Sequence, residues 1–354
     1  MPGPTYRSLM PHPAGPAKKK PSSPVKKALV SIGPIVGSAL VIAIALFSLP
    51  SILSLDIQNA ARPKPPFPIS VDPAHKLIVE NPNTNVDALL NESGGNPTLS
   101  AAAFQARAFF ASLATMIASL PVYQQLAGTD IHFVTIQPGY RQEEVATAFG
   151  KELGWTAKER QTFLASVKSV PPTLTEGEFV PGTYEVHGAM TPADVQNLLN
   201  DRFTEDILDR YSTTTAAQVP LSDALKIASL IERETGGTDD MRMISGIIWN
   251  RLFTNMNLQI DATLQYAKAP TTSSWWPVVK PADKYIKSAY NTYAHPGLPP
   301  TPIANPSVAA VIAALNPKQT DCLFYFHDKY GTFHCSATYA EHVKLLKKYY
   351  GQGK

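Results

Sequence analysis

Residues 221–235 read LSDALKIASLIERET, and their apolar positions follow the period of an α-helix. Ser222 is a suitable N-cap, and the glycine pair at 236–237 would end the helix. Glu232 lies in the middle of the apolar face, and Glu234 lies near its edge. The stretch therefore predicts a helix that buries a carboxylate. At about 100° per residue, the apolar face consists of Leu221, Ala224, Leu225, Ala228 and Ile231.

Burial gives the carboxyl group of Glu232 a chemical property that the exposed acidic residues lack. A carboxylate on a buried helix face loses hydration, so its ionised form is disfavoured and its pKa rises. A carboxyl group with a raised pKa can act as a general acid at neutral pH. A buried salt bridge or a network at the helix end is the structural alternative, and it is the commoner explanation of an isolated buried glutamate.

The composition limits the classes of function. The chain has 354 residues and a formal net charge of +3, and it lacks a basic stripe with interleaved aromatic residues, so no nucleic-acid partner is implied. The eight histidines include no H-E-x-x-H motif, and neither G-x-S-x-G nor a phosphate-binding glycine loop is present. The sequence therefore predicts no metal centre and no organic cofactor.

The N-terminal region predicts a membrane anchor. Residues 1–27 are rich in proline and lysine and are expected to form a disordered tail. Residues 28–55 contain no charged residue and exceed the roughly 20 positions needed to span a bilayer. Because the lysines precede this span, we expect the tail in the cytoplasm and the rest of the chain outside the cell membrane. A cleaved signal peptide is the alternative. Residues 56–98 are expected to be a linker.

Two strand–turn–helix units predict a small α+β subdomain within residues 99–203. The first unit has a strand at 132–136 and a helix at about 142–153, and the second has a strand at 179–186 followed by a helix capped by Thr191. Neither unit carries an acid–base pair or a metal-binding constellation. A structural spacer and a glycan-binding module therefore remain as alternatives.

Polar side chains follow the central helix in two segments. Residues 258–263 read LQIDAT, where Gln259 and Asp261 alternate with apolar residues and would leave an extended segment on the same side. Residues 287–306 read KSAYNTYAHPGLPPTPIANP, and their prolines and glycines predict a rigid loop. In that loop Tyr290, Asn291 and Tyr293 offer aromatic faces and hydrogen-bonding groups of the kind that hold a sugar. An ordinary half-exposed strand is the alternative for the first segment.

The C-terminal part predicts a short apolar helix at 308–315, a hairpin at 323–334 and a closing helix at 339–350. Cys322 and Cys335 lie one on each arm of the hairpin. They could form a disulfide outside the membrane, but their offset does not place them directly opposite each other, so pairing stays open. Trp275 and Trp276 are either additional stacking surface or part of a core or an interface.

Together these segments resemble the YceG-like endolytic murein transglycosylases. Three blocks carry the resemblance in order: IASLIERET, IIWNRLFTNMNLQIDATLQYA and SAYNTYAHPGLPPTPIANP. It covers roughly residues 221–350, and residues 132–199 are similar to the family's LysM-like subdomain. The implied fold is α+β, with one N-terminal transmembrane helix, a LysM-like subdomain within 99–203 and a catalytic domain at 204–354. Ala262 and Thr301 stand where the family usually has proline and glycine.

The resemblance implies a lyase that acts on peptidoglycan glycan strands. It would cleave the β-1,4 bond between N-acetylmuramic acid and N-acetylglucosamine within a strand and leave a 1,6-anhydro-muramyl end. Glu232 would protonate the glycosidic oxygen and then take the proton of the muramyl C6 hydroxyl, which attacks C1. A second catalytic carboxylate is not needed, because the nucleophile belongs to the substrate. The resemblance also implies peptidoglycan synthases at the membrane as partners.

Two alternatives to this activity remain. A hydrolase would use Asp261 or Glu234 to activate water and would release reducing ends. A membrane-tethered wall-binding scaffold with an inactive catalytic fold would release nothing. On the transglycosylase interpretation, the expected substrate-binding residues are Glu234, Gln259, Asp261, Tyr290, Asn291 and Tyr293.

Overall fold

The computed structural model describes residues 64–93, 131–166, 174–269 and 274–351. Within them the chain is a mixed α+β structure, as expected. The expected cytoplasmic tail (1–27) and membrane span (28–55) lie outside the described residues. Among the residues that are described, no helix is both long enough and apolar enough to cross a membrane.

The segment at 64–93 is ordered, which corrects the expectation of a linker at 56–98. It contains strands β1 (Val71–Asp72) and β2 (Leu77–Ile78), paired antiparallel, and helix α1 (Val86–Ser93). Its backbone is tied to distant parts of the chain, because Phe67 N donates to the Arg210 carbonyl at 2.9 Å and Ser70 N donates to the Leu315 carbonyl at 3.0 Å. The side chains that bury this segment in the core are Phe67, Val71, Val86 and Leu90.

A small subdomain, defined here by the described residues between 131 and 206, follows. Its strands β3 (Ile131–Ile136) and β4 (Gly182–His187) pair antiparallel in a two-stranded sheet, close to the predicted positions. Helices α2 (Gln142–Glu152) and α3 (Ala157–Ser166) connect them, and α4 (Pro192–Asp206) follows β4. Thr191 caps α4 as predicted, whereas α3 was not foreseen. The subdomain therefore has the order β-α-α-β-α.

The larger part of the fold is mostly helical. Its elements are α5 (Thr213–Gln218), α6 (Leu221–Glu234), α7 (Met241–Phe253), α8 (Asp261–Lys268), α9 (Val308–Leu315), β5 (Phe324–His327), β6 (Phe333–Ser336) and α10 (Tyr339–Tyr350), with 3₁₀ turns at Leu208–Arg210 and Pro281–Tyr285. Helix α6, the predicted central helix, packs against α7, α8 and α9, and strands β5 and β6 form a β-hairpin before the last helix.

Helix α6 is buried on more than the predicted apolar face. Residues 227–231 are all buried, including Ser229, because neighbouring helices cover several sides of it. Helix α9 is composed of alanine and branched aliphatic residues, and its residues 309–315 are all buried. Helix α6 begins directly after Pro220, so the expected capping role of Ser222 is wrong.

Two further expectations are settled by the structure. The segment 258–263 was expected to be extended, but Asp261 is the first residue of α8. Cys322 and Cys335 form a disulfide that joins the two arms of the hairpin.

Gly246 permits the closest backbone approach in the helical part. A Cβ atom at this position would lie 2.3 Å from the Lys318 carbonyl oxygen. Lys318 is fixed against α7, because its N–H donates to the Arg242 carbonyl at 2.9 Å. Gly246→Ala is therefore expected to lower the free energy of unfolding by about 1–3 kcal/mol in urea titrations. Gly236→Ala, where the added Cβ meets open space, is the control and should change it by less than about 0.5 kcal/mol. Equal stability of the two variants would contradict this packing.

Candidate active site

Glu232 lies in the last turn of α6 and faces the N-terminus of α9. Its Oε2 accepts two hydrogen bonds from Ser307, one from the backbone N–H at 2.9 Å and one from Oγ at 2.6 Å. Ser307 is the N-cap of α9, and its Oγ also accepts from Ala310 N at 3.2 Å. One hydroxyl group therefore caps α9 and holds the carboxylate of Glu232.

The pKa of Glu232 is set by opposing effects. Burial raises it, because the ionised carboxylate loses water. The two hydrogen bonds from Ser307 and the positive charge of Arg233 lower it, and burial prevails. The N-terminus of α9 would add a favourable dipole for the ionised form. Glu232 thus combines a raised pKa with donors that stabilise the carboxylate after it has released a proton.

The Ser307 hydroxyl offers a test of this balance. Ser307→Ala removes one donor to the Glu232 carboxylate, so the pKa of Glu232 should rise further and the alkaline limb of the pH–rate profile should move to higher pH. The variant also loses a helix cap, which is expected to lower the free energy of unfolding by roughly 0.5–2 kcal/mol. Ser307→Thr keeps the hydroxyl and is the matched control. If the two variants had the same pH–rate profile, the hydroxyl would not tune Glu232.

Glu234 is the last residue of α6. Together with Asp261 and Tyr293 it forms what we call the second acidic group. Its Oε2 accepts a hydrogen bond from the Tyr325 hydroxyl of β5 at 2.8 Å. Burial raises the pKa of Glu234 to about 7; the Tyr325 hydrogen bond lowers it, and the negative charge of Asp261 raises it. The carboxyl group of Glu234 therefore keeps its proton to a higher pH than an exposed glutamate does.

Asp261 and Tyr293 complete this second acidic group. The Tyr293 hydroxyl donates to Asp261 Oδ1 at 2.6 Å. Burial raises the pKa of Tyr293 to a value beyond its ordinary range, and the charges of Asp261 and Glu234 act in the same direction. The structure thus brings together three of the predicted substrate-binding residues.

Asn291 was expected to contact a sugar, and that expectation is wrong. Its side chain is fully buried, and its Nδ2 donates to the carbonyl oxygens of Lys284 and Ile286 at 3.0 and 2.8 Å. Its Oδ1 accepts from Tyr293 N at 2.9 Å. Asn291 therefore shapes the loop and presents no free group to a ligand.

Gln259 is exposed but does not alternate with Asp261 on one side of a strand. Its φ of +53° lies in the left-handed region, and its N–H donates to the Thr292 carbonyl at 3.1 Å. Tyr290 packs against Tyr266 with 4.8 Å between ring centroids, and its hydroxyl hydrogen-bonds Thr301 Oγ1 at 2.8 Å. Thr301, a position where the chain departs from the family pattern, therefore anchors Tyr290.

The two tryptophans lie against arginines, at the interface between the small subdomain and the end of α6. Arg233 stacks on Trp276 at 3.7 Å from the ring centroid, and Trp276 Nε1 donates to Glu144 Oε2 at 3.2 Å. Trp275 packs against Arg141, whose Cζ lies 5.1 Å from its ring centroid. Since Arg233 follows Glu232 directly, this aromatic cluster joins the small subdomain to the end of α6.

Sequence reasoning missed Ser307, Arg233 and Tyr325. A serine directly before the apolar run at 308–315 is a typical helix cap, but nothing local indicates that Ser307 faces a residue 75 positions earlier. Within the described residues, no three His, Cys, Asp or Glu side chains are grouped closely enough to hold a metal ion.

Comparison with known proteins assigns the family. A model of the YceG-like family matches residues 97–348, which include α6, Ser307 and the hairpin. The chain belongs to the YceG-like family. The crystal structure of a yceG-like protein from Listeria monocytogenes is similar, with a TM-score of 0.52 and 26% identity over 63% of this chain and 80% of that chain. The α+β YceG-like domain expected from the sequence is thereby confirmed.

Two curated relatives are named endolytic murein transglycosylase. The protein from Bacillus subtilis is 30% identical over an alignment of 236 residues, and the match covers 61% of this chain and 64% of the relative. The protein from Streptococcus pneumoniae strain D39 is 27% identical over an alignment of 236 residues, and the match covers 58% of this chain and 43% of the relative. The match thus spans less than two thirds of the length of either relative.

Proposed function

We propose that this chain is a lytic transglycosylase that cleaves glycan strands of peptidoglycan at internal MurNAc-β-1,4-GlcNAc bonds. The observation that carries the proposal is the partly buried carboxyl group of Glu232, with a raised pKa and two donors from Ser307. The names of the relatives, endolytic murein transglycosylase, support the same activity.

Glu232 acts twice in the proposed reaction. Its proton goes to the glycosidic oxygen as the bond from C1 to that oxygen breaks. The muramyl C6 oxygen then forms a bond to C1, and the proton of its hydroxyl returns to Glu232. Ser307 stabilises the carboxylate between the two transfers, because both of its donors favour the ionised form. No water is consumed, and the product ends in a 1,6-anhydro ring.

The second acidic group is proposed to bind the substrate. Glu234, Asp261 and Tyr293 offer acceptors and a hydroxyl near the end of α6, and Gln259 and Tyr290 are proposed to extend this surface. Sugar hydroxyls are hydrogen-bond donors and acceptors, so such a polar and aromatic surface suits them.

Hydrolysis is the second candidate, and one observation favours it. Glu234, with a pKa of about 7, could accept a proton from water at neutral pH. The two reactions differ in their products, because hydrolysis adds a water molecule and leaves a reducing end.

Product analysis separates these activities. Full-length protein in detergent would be incubated with uncrosslinked glycan strands, and the new ends would be identified by mass spectrometry. Internal cuts with anhydro ends support the proposal, whereas reducing ends indicate a hydrolase that uses Glu234 or Asp261. No cuts by folded protein would favour the wall-binding scaffold.

We further propose the domain organisation and location. Residues 1–27 would be cytoplasmic, residues 28–55 would cross the cell membrane once, and the catalytic domain at 204–354 would lie outside the cytoplasm beside peptidoglycan synthases. The subdomain within 99–203 would be LysM-like, as the resemblance of residues 132–199 to the family implies.

The anchor proposal predicts a clear fractionation result. Full-length protein should remain with membranes after a carbonate wash, because an apolar span is held by the hydrophobic effect and not by charge. Deletion of residues 1–55 should release a soluble and active enzyme. A full-length protein that the wash removes would contradict the anchor.

A further inference from the structure

Asn305 joins the small subdomain to the segment that carries Ser307. It is fully buried and lies two residues before Ser307. Its Oδ1 accepts from Gly177 N at 2.8 Å and from Phe179 N at 3.0 Å. Its Nδ2 donates to the Tyr140 carbonyl at 2.9 Å and to Glu176 Oε1 at 3.0 Å. Both polar atoms of the Asn305 amide group therefore form hydrogen bonds with the small subdomain.

The backbone of Asn305 adds two more hydrogen bonds to the same partners. Its N–H donates to the Tyr140 carbonyl at 2.8 Å, and its carbonyl accepts from Gly139 N at 2.9 Å. Pro306 separates Asn305 from Ser307. Because its ring restricts φ, Ser307 has little freedom to move relative to Asn305. The carboxylate of Glu232 is therefore bonded to a residue whose place is fixed through Asn305.

Gly177 allows a close approach between the small subdomain and the segment that leads to Ser307, which we call the junction. A Cβ atom there would lie 2.7 Å from the side chain of Pro302, and the φ of +98° is one that favours glycine. The loop of the small subdomain can therefore reach the backbone just before Asn305. The junction is built of buried hydrogen bonds and direct packing.

We propose that Asn305 is a positioning residue through which the small subdomain holds the two Ser307 donors against Glu232. The inference builds on the proposed function, in which Glu232 transfers the proton. It assigns the small subdomain a part in catalysis that does not depend on glycan binding. The subdomain holds the segment that carries Ser307 in place through its hydrogen bonds to Asn305.

Other charged groups near Glu232 are few and can be kept constant in a test. Arg233 acts on Glu232 directly, and Glu144 of the small subdomain acts on Arg233. Asp261, on the adjacent helix α8, acts on Glu234. Helix α9 carries no charged residue. Replacement of the uncharged Asn305 leaves all of these groups in place, and the titratable side chain that loses a hydrogen bond is Glu176.

Asn305→Ala is expected to lower kcat on the order of 100-fold with a smaller change in KM, because the proton donor is misplaced and not the binding surface. Loosening of Ser307 should also move the titration of Glu232 to higher pH. Asn316→Ala is the matched control, since Asn316 is equally buried at the other end of α9, where its Nδ2 donates to the Pro68 and Ile312 carbonyls at 2.7 and 2.9 Å. Asn316→Ala should be less stable than the wild type, but its kcat and its Glu232 titration should be unchanged.

The titration is to be read by ¹³C NMR of the glutamate carboxyl groups in the full chain, with the Glu232 signal identified by its absence in Glu232→Gln. A Glu232 titration at higher pH in Asn305→Ala than in Asn316→Ala supports the inference, and equal titrations overturn it. This measurement needs no turnover. Failure to cleave glycan strands would therefore count against the proposed function alone, and the titration would still decide the coupling.

A second pair of variants applies if Asn305→Ala does not fold. Glu176→Ala removes the acceptor that Asn305 Nδ2 uses, whereas Glu176→Gln keeps a carbonyl oxygen at that place. Glu176→Ala should shift the Glu232 titration in the same direction as Asn305→Ala. In Glu176→Gln the Glu232 titration should match that of the wild type. The same titration in both variants would overturn the inference.

Discussion

Glu232→Gln is expected to lower kcat for glycan cleavage by about 10²–10⁴-fold, the range that general acid–base catalysis contributes. The amide cannot supply the proton to the glycosidic oxygen and cannot accept one from the C6 hydroxyl. Its carbonyl oxygen can still accept the two hydrogen bonds from Ser307, so the fold should be retained. Rates of strand shortening and urea unfolding curves measure the two effects separately.

Asp223→Asn is the matched control for this variant. Asp223 lies on the same helix, half-exposed, and pairs with Lys226 at 3.1 Å on the side away from the apolar face. Such an exposed pair contributes little, so activity and stability should both change only slightly. Cleavage by Glu232→Gln at a rate close to that of Asp223→Asn would remove Glu232 from the mechanism.

The free energy of unfolding is expected to fall by a few kcal/mol between about pH 4.5 and pH 8 because of Glu176. Burial raises the pKa of Glu176 to about 8, and the negative charge of Glu143 adds to the effect, although Arg141 opposes it. In this window the folded state keeps the proton that the unfolded state has released. The contribution of Glu176 to the free energy of unfolding is therefore fully present below about pH 4.5 and is lost as the pH rises to about 8.

Glu176→Gln isolates this contribution. Its amide mimics the protonated carboxyl group, so the variant and the wild type should unfold at similar urea concentrations at pH 5. At pH 9 the variant should be the more stable of the two by a few kcal/mol. Parallel curves of stability against pH for the two proteins would show that Glu176 does not hold a proton in the folded state.

The sequence predicted α6 and Glu232 because both depend on local signals. The period of the apolar residues fixes the helix, and a carboxylate within the apolar face is visible without any contact information. Helix α9, the hairpin and α10 were predicted for the same reason. The partners of Glu232 and Glu234 were not, since Ser307 and Tyr325 come from segments 75 and 91 residues away.

The errors have physical causes as well. Six residues at 258–263 fit an alternating pattern by chance, and such short runs do not separate strand from helix. Asn291 is polar and lies in a loop rich in proline, but a buried loop must satisfy its own backbone, and the amide does so. The segment at 64–93 has the composition of a linker, yet a few well-spaced apolar side chains suffice to bury it.

In the proposed reaction, Glu232 drives attack by the sugar's own C6 hydroxyl and not by water. The most direct test is cleavage of uncrosslinked glycan strands by the full-length protein in water enriched in ¹⁸O, followed by mass spectrometry of the new ends. We expect anhydro ends without the heavy isotope, and we expect no such ends with Glu232→Gln. New ends that carry ¹⁸O would contradict it, because they require water as the nucleophile.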